Sequence, residues 1–211
     1  MLELQQLTLT EFCDVTASDA PAPGGGSVSA LCGALAASLA SMVGKLTVGR
    51  KGHETVEETM KEALEELESI RSALLKAIDE DTKSFNAFMA ALKLPKVTEE
   101  EKAARHIAMQ TALKNAALVP LNVARESVRI FDYARLMLES GNENAFTDAM
   151  VCTLAARTAT LGALFNVRVN LDAIEDENFL TLTMKEVETL EKLANDSEQT
   201  LLKKGYLLFH K

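Results

Sequence analysis

Ala20-Pro21-Ala22-Pro23-Gly24-Gly25-Gly26-Ser27 leads directly into Val28-Ser29-Ala30-Leu31-Cys32-Gly33-Ala34-Leu35-Ala36-Ala37-Ser38-Leu39-Ala40-Ser41-Met42-Val43. Two prolines block helix and three glycines permit a sharp bend. The stretch therefore predicts an irregular turn opening onto a helix over about 27–47, capped by the Ser27 hydroxyl. Backbone N–H groups without an intrahelical acceptor gather at such a start, which suits an anion, a polarised carbonyl or a partner's backbone. The helix carries no charge up to Val43 and is built mostly of small residues, so neighbours can approach it on every side. It reads as the central buried helix.

Outward from that stretch, helix signals punctuate the chain. Upstream, Thr8-x-x-Glu11 has the form of a capping box and predicts a short helix within residues 7–18. Downstream, Gly49 and Gly52 in Val48-Gly49-Arg50-Lys51-Gly52-His53 end the first long helix. Arg50 and Lys51 either answer its C-terminal dipole or form an anion-binding patch, and both readings stand. Residues 54–92 contain neither Pro nor Gly, and a three-four stripe runs through Met60, Leu64, Leu67, Arg71, Leu74, Ile78, Asp81, Phe85, Phe88 and Leu92. That pattern predicts one long amphipathic helix. Leu94-Pro95-Lys96 stops it, a second box at Thr98-x-x-Glu101 opens the next, and that helix should reach Ser140-Gly141 with a kink at Pro120. Asn142, Thr147 and Asp148 read as helix-start caps before a second small-residue helix over about 148–167. After a linker over 172–178, a last amphipathic helix is expected over about 182–209. No alternating run flanked by turns predicts a strand. The whole reads as one all-α domain over residues 1–211, a bundle of five or more mostly long antiparallel helices with the two small-residue helices in its middle.

Composition narrows the chemistry. Acidic residues outnumber basic ones by 31 to 22, a net charge of -9 that argues against a nucleic-acid partner and leaves any anionic ligand dependent on a local basic patch. Cys13, Cys32 and Cys152 make neither a metal-ligand spacing nor an even disulfide set, and read as reduced thiols of a cytoplasmic protein. His53, His106 and His210 lie far apart, so no zinc site is expected. The N-terminus lacks the basic and apolar regions of a signal peptide. Residues 28–43 are uncharged but short for a span and rich in Ala, Ser and Gly, so a buried helix is expected there and no membrane partner.

Phosphate-loop and dinucleotide readings of the glycine turn fail, because no strand precedes it and no Gly-Lys-Ser/Thr follows it at the required spacing. There is no Gly-x-Ser-x-Gly. What remains is acid–base or electrostatic chemistry by carboxylates. Asp81 stands out, because a carboxylate between Ile78 and Phe85 on an apolar stripe is costly to bury and its pKa should rise. A buried pair with a cation from another helix would explain it equally well. Asp79, two residues away and off the stripe, reads by itself as a solvated surface acid.

The glycine turn, Met42-Val43-Gly44, Leu46-Thr47, Gly49-Arg50-Lys51, Asp79-x-Asp81-x-x-x-Phe85, Leu94-Pro95-Lys96, Gly141-Asn142, Asp148 and Phe165-Asn166-Val167-x-Val169-Asn170-Leu171 together resemble the cyclodeaminase/cyclohydrolase family, of which the C-terminal domain of formiminotransferase-cyclodeaminase is a member. The resemblance spans nearly the whole chain in order. It implies a helical domain that pairs as a homodimer or higher oligomer, a folate site near the dimer interface, no metal, and no cofactor beyond the tetrahydrofolate substrate. Members convert 5-formimidoyltetrahydrofolate to 5,10-methenyltetrahydrofolate with release of ammonia, the reading placed first here. The alternative is a methenyltetrahydrofolate cyclohydrolase, and a second alternative is a non-catalytic folate-binding or scaffolding module. Histidine degradation and one-carbon interconversion are both open as pathways, and a separate formimidoyltransferase is a candidate partner. By resemblance Asp81 is the catalytic carboxylate and Asp79 the second choice. Pro23, Gly24, Gly25, Gly26, Ser27 and Asp148 would hold the pterin or the reacting bridge, while Asn142, Asn166 and Asn170 would hydrogen-bond the ligand or the interface. Arg50 and Lys51, with Lys45 and Lys96, would meet a glutamate or polyglutamate tail. Three positions depart from the pattern: Val48 replaces an aromatic residue, Lys51 an arginine and Lys45 an apolar residue.

Overall fold

Both predicted capping boxes form. In the computed structural model, which describes residues 3–210 and leaves the His210 side chain outside the described residues, Thr8 opens α1 (Leu9–Thr16) and Thr98 opens α4 (Glu99–Ser140). The Glu11 and Glu101 N–H groups each donate to the cap hydroxyl at 3.2 Å, and each glutamate reaches back to the cap N–H. Between them run α2 (Gly25–Lys45) and α3 (Glu57–Leu92), and after them α5 (Phe146–Leu171) and α6 (Glu177–Tyr206). The expected all-α bundle is therefore present, with five long helices and one short one.

Neighbouring helices run antiparallel, so the chain passes up and down between two ends. Ser27 at the start of α2 meets Asp81 late in α3, and Gly44 at its end meets Leu64 early in α3. Asn166 late in α5 meets Gly25. Helices α3, α2, α5 and α6 form a layer, and α4 packs across all four. Small residues set these distances. A Cβ at Gly33 would lie 2.8 Å from Ser127 Oγ and 2.9 Å from Leu74 Cδ1, so α2 could not approach α3 and α4 as it does with alanine there.

Several boundaries and burials differ from the sequence reading. Helix α2 begins at Gly25, with Gly24 at the cap and no side-chain cap bond, so Ser27 lies inside the first turn. Helix α2 is also not enclosed: Leu35 is 50% and Leu46 49% exposed along one face. Helix α4 continues unbroken through the buried Pro120. Helix α5 extends to Leu171 and takes Asn166 and Asn170 into its last turns, and α6 starts five residues early because Asp176 accepts from Phe179 N–H. Arg71 lies at the surface with its guanidinium on Glu68 rather than in the core stripe of Met60, Leu67, Leu74 and Ile78. Asp79 is buried rather than solvated. Its carboxylate accepts from Leu4 N–H at 2.7 Å and Gln5 N–H at 3.3 Å, tying the N-terminal turn to α3. Of the thiols, Cys13 is exposed, and burial pushes Cys152 up to about 12.

Candidate active site

The turn at residues 20–24 delivers the first turn of α2 against α3, about three helical turns before the end of that helix. Asp81 lies there as a cap from a distant part of the chain. Its Oδ2 accepts from Ser27 N–H at 3.0 Å. The Ser27 hydroxyl has one proton and two acceptors, the Ile78 carbonyl at 2.9 Å and Asp81 Oδ2 at 3.1 Å. Ser84 Oγ donates to the Asp81 carbonyl at 2.8 Å and steadies the turn. This approach requires glycine, because a Cβ at Gly26 would fall within 2.7 Å of both carboxylate oxygens. The anion also answers the positive end of the α2 dipole.

Burial pushes the Asp81 carboxyl above the usual carboxylate range, and the Ser27 hydroxyl and N–H pull it partly back. No cation pairs with it among the described residues, which removes the buried-ion-pair reading. Asp81 Oδ1 is left without a protein donor, and the Gly25 and Gly26 N–H groups without a protein acceptor, among the described residues. A carboxylate and free amides therefore face the same space.

That space is a cleft of about 240 Å³ between α2, α3, α4 and α5. Pro21 and Gly24–Gly26 form one wall, Phe85 and Phe88 another, and Asn166 and Asn170 a third. Asn166 Nδ2 donates to Gly162 O at 2.8 Å and Asn170 Nδ2 to Ala116 O at 2.7 Å, which fixes both amides and leaves their oxygens as acceptors. The arrangement can hold a planar cation: an anion at one edge, acceptors at another and aromatic faces beside it. Among the described residues no three His, Cys, Asp or Glu side chains gather as metal ligands.

The sequence-derived candidates divide between the two ends of the bundle. Asp81, Gly24, Gly25, Gly26, Ser27, Asn166 and Asn170 meet at the cleft, with Pro23 buried behind it and Lys96 exposed in the α3–α4 loop at the same end. Ser27 serves the carboxylate rather than a ligand, since its N–H is already engaged. Asp79 lies on α3 nearby and is spent on Leu4 and Gln5. Lys45, Arg50, Lys51, Asn142 and Asp148 lie at the opposite end, because the 21 residues of α2 span about 30 Å. There Asn142 holds Leu46 O and caps Asn144 N–H, so the capping reading describes it. Phe85 and Phe88 belong to the apolar stripe of α3, and only the opening of the cleft distinguishes them from its core members. A larger cavity of about 530 Å³ lies at the Asn142 end, but Glu139, Glu143 and the carbonyl end of α4 surround it, and its His53 Nδ1 is held 3.2 Å from Ser140 O.

Known proteins share this architecture. Residues 8–189 match the family described as formiminotransferase-cyclodeaminase. A methenyltetrahydrofolate cyclohydrolase of Methylorubrum extorquens is 43% identical over 183 residues, 87% of this chain and 88% of that protein. The formimidoyltransferase-cyclodeaminase of Rattus norvegicus is 34% identical over 89% of this chain, which spans 35% of the rat protein. The crystal structure of formiminotetrahydrofolate cyclodeaminase from Thermotoga maritima superposes with a TM-score of 0.88 at 32% identity, covering 98% of this chain and 100% of that one. The chain belongs to the formiminotransferase-cyclodeaminase family and is a folate one-carbon enzyme.

Proposed function

We propose that the protein is a methenyltetrahydrofolate cyclohydrolase, forming 10-formyltetrahydrofolate, with Asp81 as its catalytic carboxylate. The family resemblance puts the cyclodeaminase first, and the residues by themselves do not separate the two reactions. The order changes because the relative matched at 43% identity over nearly the full length of both chains bears the cyclohydrolase name.

The cleft suits this reaction. The N5–CH–N10 bridge of the substrate is a cation, and an ionised Asp81 with one free oxygen offers it a counter-charge in a partly desolvated place. As water oxygen bonds to the bridge carbon, Asp81 takes one of its protons. The C–N5 bond then breaks, N5 gains a proton and the remaining hydroxyl proton is lost as the formyl carbonyl forms, so that one proton is released overall. A carboxyl held above its usual range exchanges that proton more readily near neutrality than an ordinary aspartate. Phe85 and Phe88 would flank the pterin, and the Asn166 and Asn170 oxygens would accept from its N–H edge.

The cyclodeaminase is the second reading, supported by the Thermotoga maritima likeness. There N10 replaces water as nucleophile, ammonia leaves, and the same carboxylate meets the same cation. Purified protein given 5,10-methenyltetrahydrofolate should accelerate loss of its near-ultraviolet band without ammonia. Given 5-formimidoyltetrahydrofolate, it should leave that band flat. Growth of the band with stoichiometric ammonia would reverse the assignment.

A further inference from the structure

We infer that Asp79 is a positioning residue: by holding the N–H groups of Leu4 and Gln5 it fixes residues 4–26 as a strap around α3 and keeps Pro21 and Ala22 in place as a wall of the cleft. The inference rests on the functional reading for what the wall binds and on the fold alone for the strap.

Three observations converge. First, Asp79 is a buried acid that the proposed chemistry leaves unused. It is 7% exposed, has no basic partner among the described residues, and accepts from Leu4 N–H at 2.7 Å and Gln5 N–H at 3.3 Å. Burying a carboxylate is costly unless it is hydrogen-bonded, so these two donors fix where the N-terminal turn must lie. Second, both ends of residues 4–27 are tied to one helix. Leu4 and Gln5 are held by Asp79, and Ser27 by Asp81. Positions two apart on an α-helix are about 3 Å apart along its axis and about 200° apart around it. The two acids therefore point to opposite sides of α3, and the chain passes around the helix between them.

Third, little else fixes the strap. Among the described residues, the hydrogen bonds of residues 6–23 all stay within residues 3–23, and Lys83 approaches Glu3 only to 3.8 Å. Phe12 is the one buried residue of α1. Leu4, Leu7 and Phe12 pack against the core, which is apolar contact without direction. Released at Asp79, the strap becomes a chain end, the kind of segment that is poorly ordered unless tied down. Pro21 and Ala22, which line the cleft, then lose support, while Ser27 stays on Asp81. The two acids of Asp79-x-Asp81 thus divide the work. Asp81 meets the reacting bridge, and Asp79 holds a wall against parts of the substrate that do not react. Such a wall binds ground state and transition state alike, so loosening it raises KM and spares kcat.

Substitutions on both sides of the contact test this. Asp79→Ala should raise KM for 5,10-methenyltetrahydrofolate about ten-fold, with kcat per folded molecule within about two-fold of wild type. Asp79→Asn keeps an oxygen for Leu4 N–H and should recover most of that loss. An acid that carried protons would lose kcat equally in both variants, which would overturn the proposal. A merely smaller folded fraction would lower apparent kcat at unchanged KM, and that would overturn it too. On the other side, Leu4→Pro removes the donor. Proline suits this first position of the turn, and Glu3 before it already has φ -66° and ψ 145°, the extended backbone that precedes proline. Leu4→Ala removes the side chain and keeps the donor. With Asp79 present, KM should be about five-fold higher for Leu4→Pro than for Leu4→Ala; combined with Asp79→Ala, the two should be equal. The same gap in both backgrounds would overturn the contact's role. Hydrogen exchange needs no substrate: in Asp79→Ala the amides of α1 should exchange about ten-fold faster relative to those of α4. Unaltered relative exchange would overturn the strap. If wild type turns over neither folate, the functional reading fails while exchange still judges the strap.

Discussion

The two ends of the bundle are built from the same materials, small-residue helices, glycine turns and short polar side chains, yet they spend them differently. At the Asn142 end the two buried polar side chains, Thr47 and Asn142, are consumed by the fold. Thr47 Oγ1 donates to Val43 O and accepts from Asn142 N–H, while the Asn142 side chain joins Leu46 to Asn144. At the Asp81 end the accounts are left open, with a carboxylate oxygen and two helix-start amides facing a cleft. A polar group that the fold does not use is available to a ligand, and this separates the ends more sharply than cavity size does.

The largest expected effect follows from that difference. Asp81→Asn keeps an oxygen to accept from Ser27 N–H but removes the charge and the proton carrier, so turnover should fall about 10²–10⁴-fold with the fold intact. Activity that needs the ionised carboxylate is lost as pH falls through its raised pKa, so the acid limb of kcat should lie above the ordinary 3.8. Ser27→Ala removes the hydroxyl that lowers this pKa and should move the limb further up in pH. The linkage sign is opposite to that of a salt-bridged aspartate. The folded state binds this proton more tightly than the unfolded state, so the group's contribution to stability declines as pH rises from 3.8 through the raised value. Asp81→Asn should flatten that decline in a pH series of chemical melts. Full turnover in Asp81→Asn would break the comparison between the ends altogether.

Next comes the approach of the two helices. Gly26→Ala places a methyl group against both Asp81 oxygens, and a displacement on the order of 1 Å costs about 10²-fold in turnover. Gly24→Ala, one turn boundary away, meets nothing within 4 Å at φ -126° and should leave stability within about 0.5 kcal/mol. Equal turnover in these two variants would show that the carboxylate tolerates movement. It would place the chemistry elsewhere in the cleft.

Much of this was legible in the sequence, for identifiable reasons. Capping boxes are local, and both formed. The stripe from Met60 to Phe88 is a property of one helix and exposed Asp81 as an intruder. Long-range capping is not local: a Ser after glycines reads as the cap of its own helix, whereas the function is filled by a carboxylate 54 residues away. Asp79 misleads for the same reason, since the groups that bury it, Leu4 and Gln5 N–H, belong to a segment with no periodicity to announce its docking. Nor does adjacency in a family-like motif convey distance along a helix. Arg50 and Lys51 share that motif set with the glycine turn, and the whole of α2 separates them from it in space.

The smallest expected effect on turnover sharpens the comparison from its other side. Asn142→Ala removes the donor to Leu46 O at 3.3 Å and the acceptor of Asn144 N–H at 3.0 Å, both part-buried. The joint between α2, α4 and α5 should weaken by about 1–2 kcal/mol, read as a lowered midpoint in urea at constant slope. Because that side chain is already spent on the fold, kcat per folded molecule should stay within about two-fold of wild type, a margin of about 0.4 kcal/mol. A loss of turnover without loss of stability would mean that Asn142 also serves a ligand, and the two ends would then differ in degree rather than in kind.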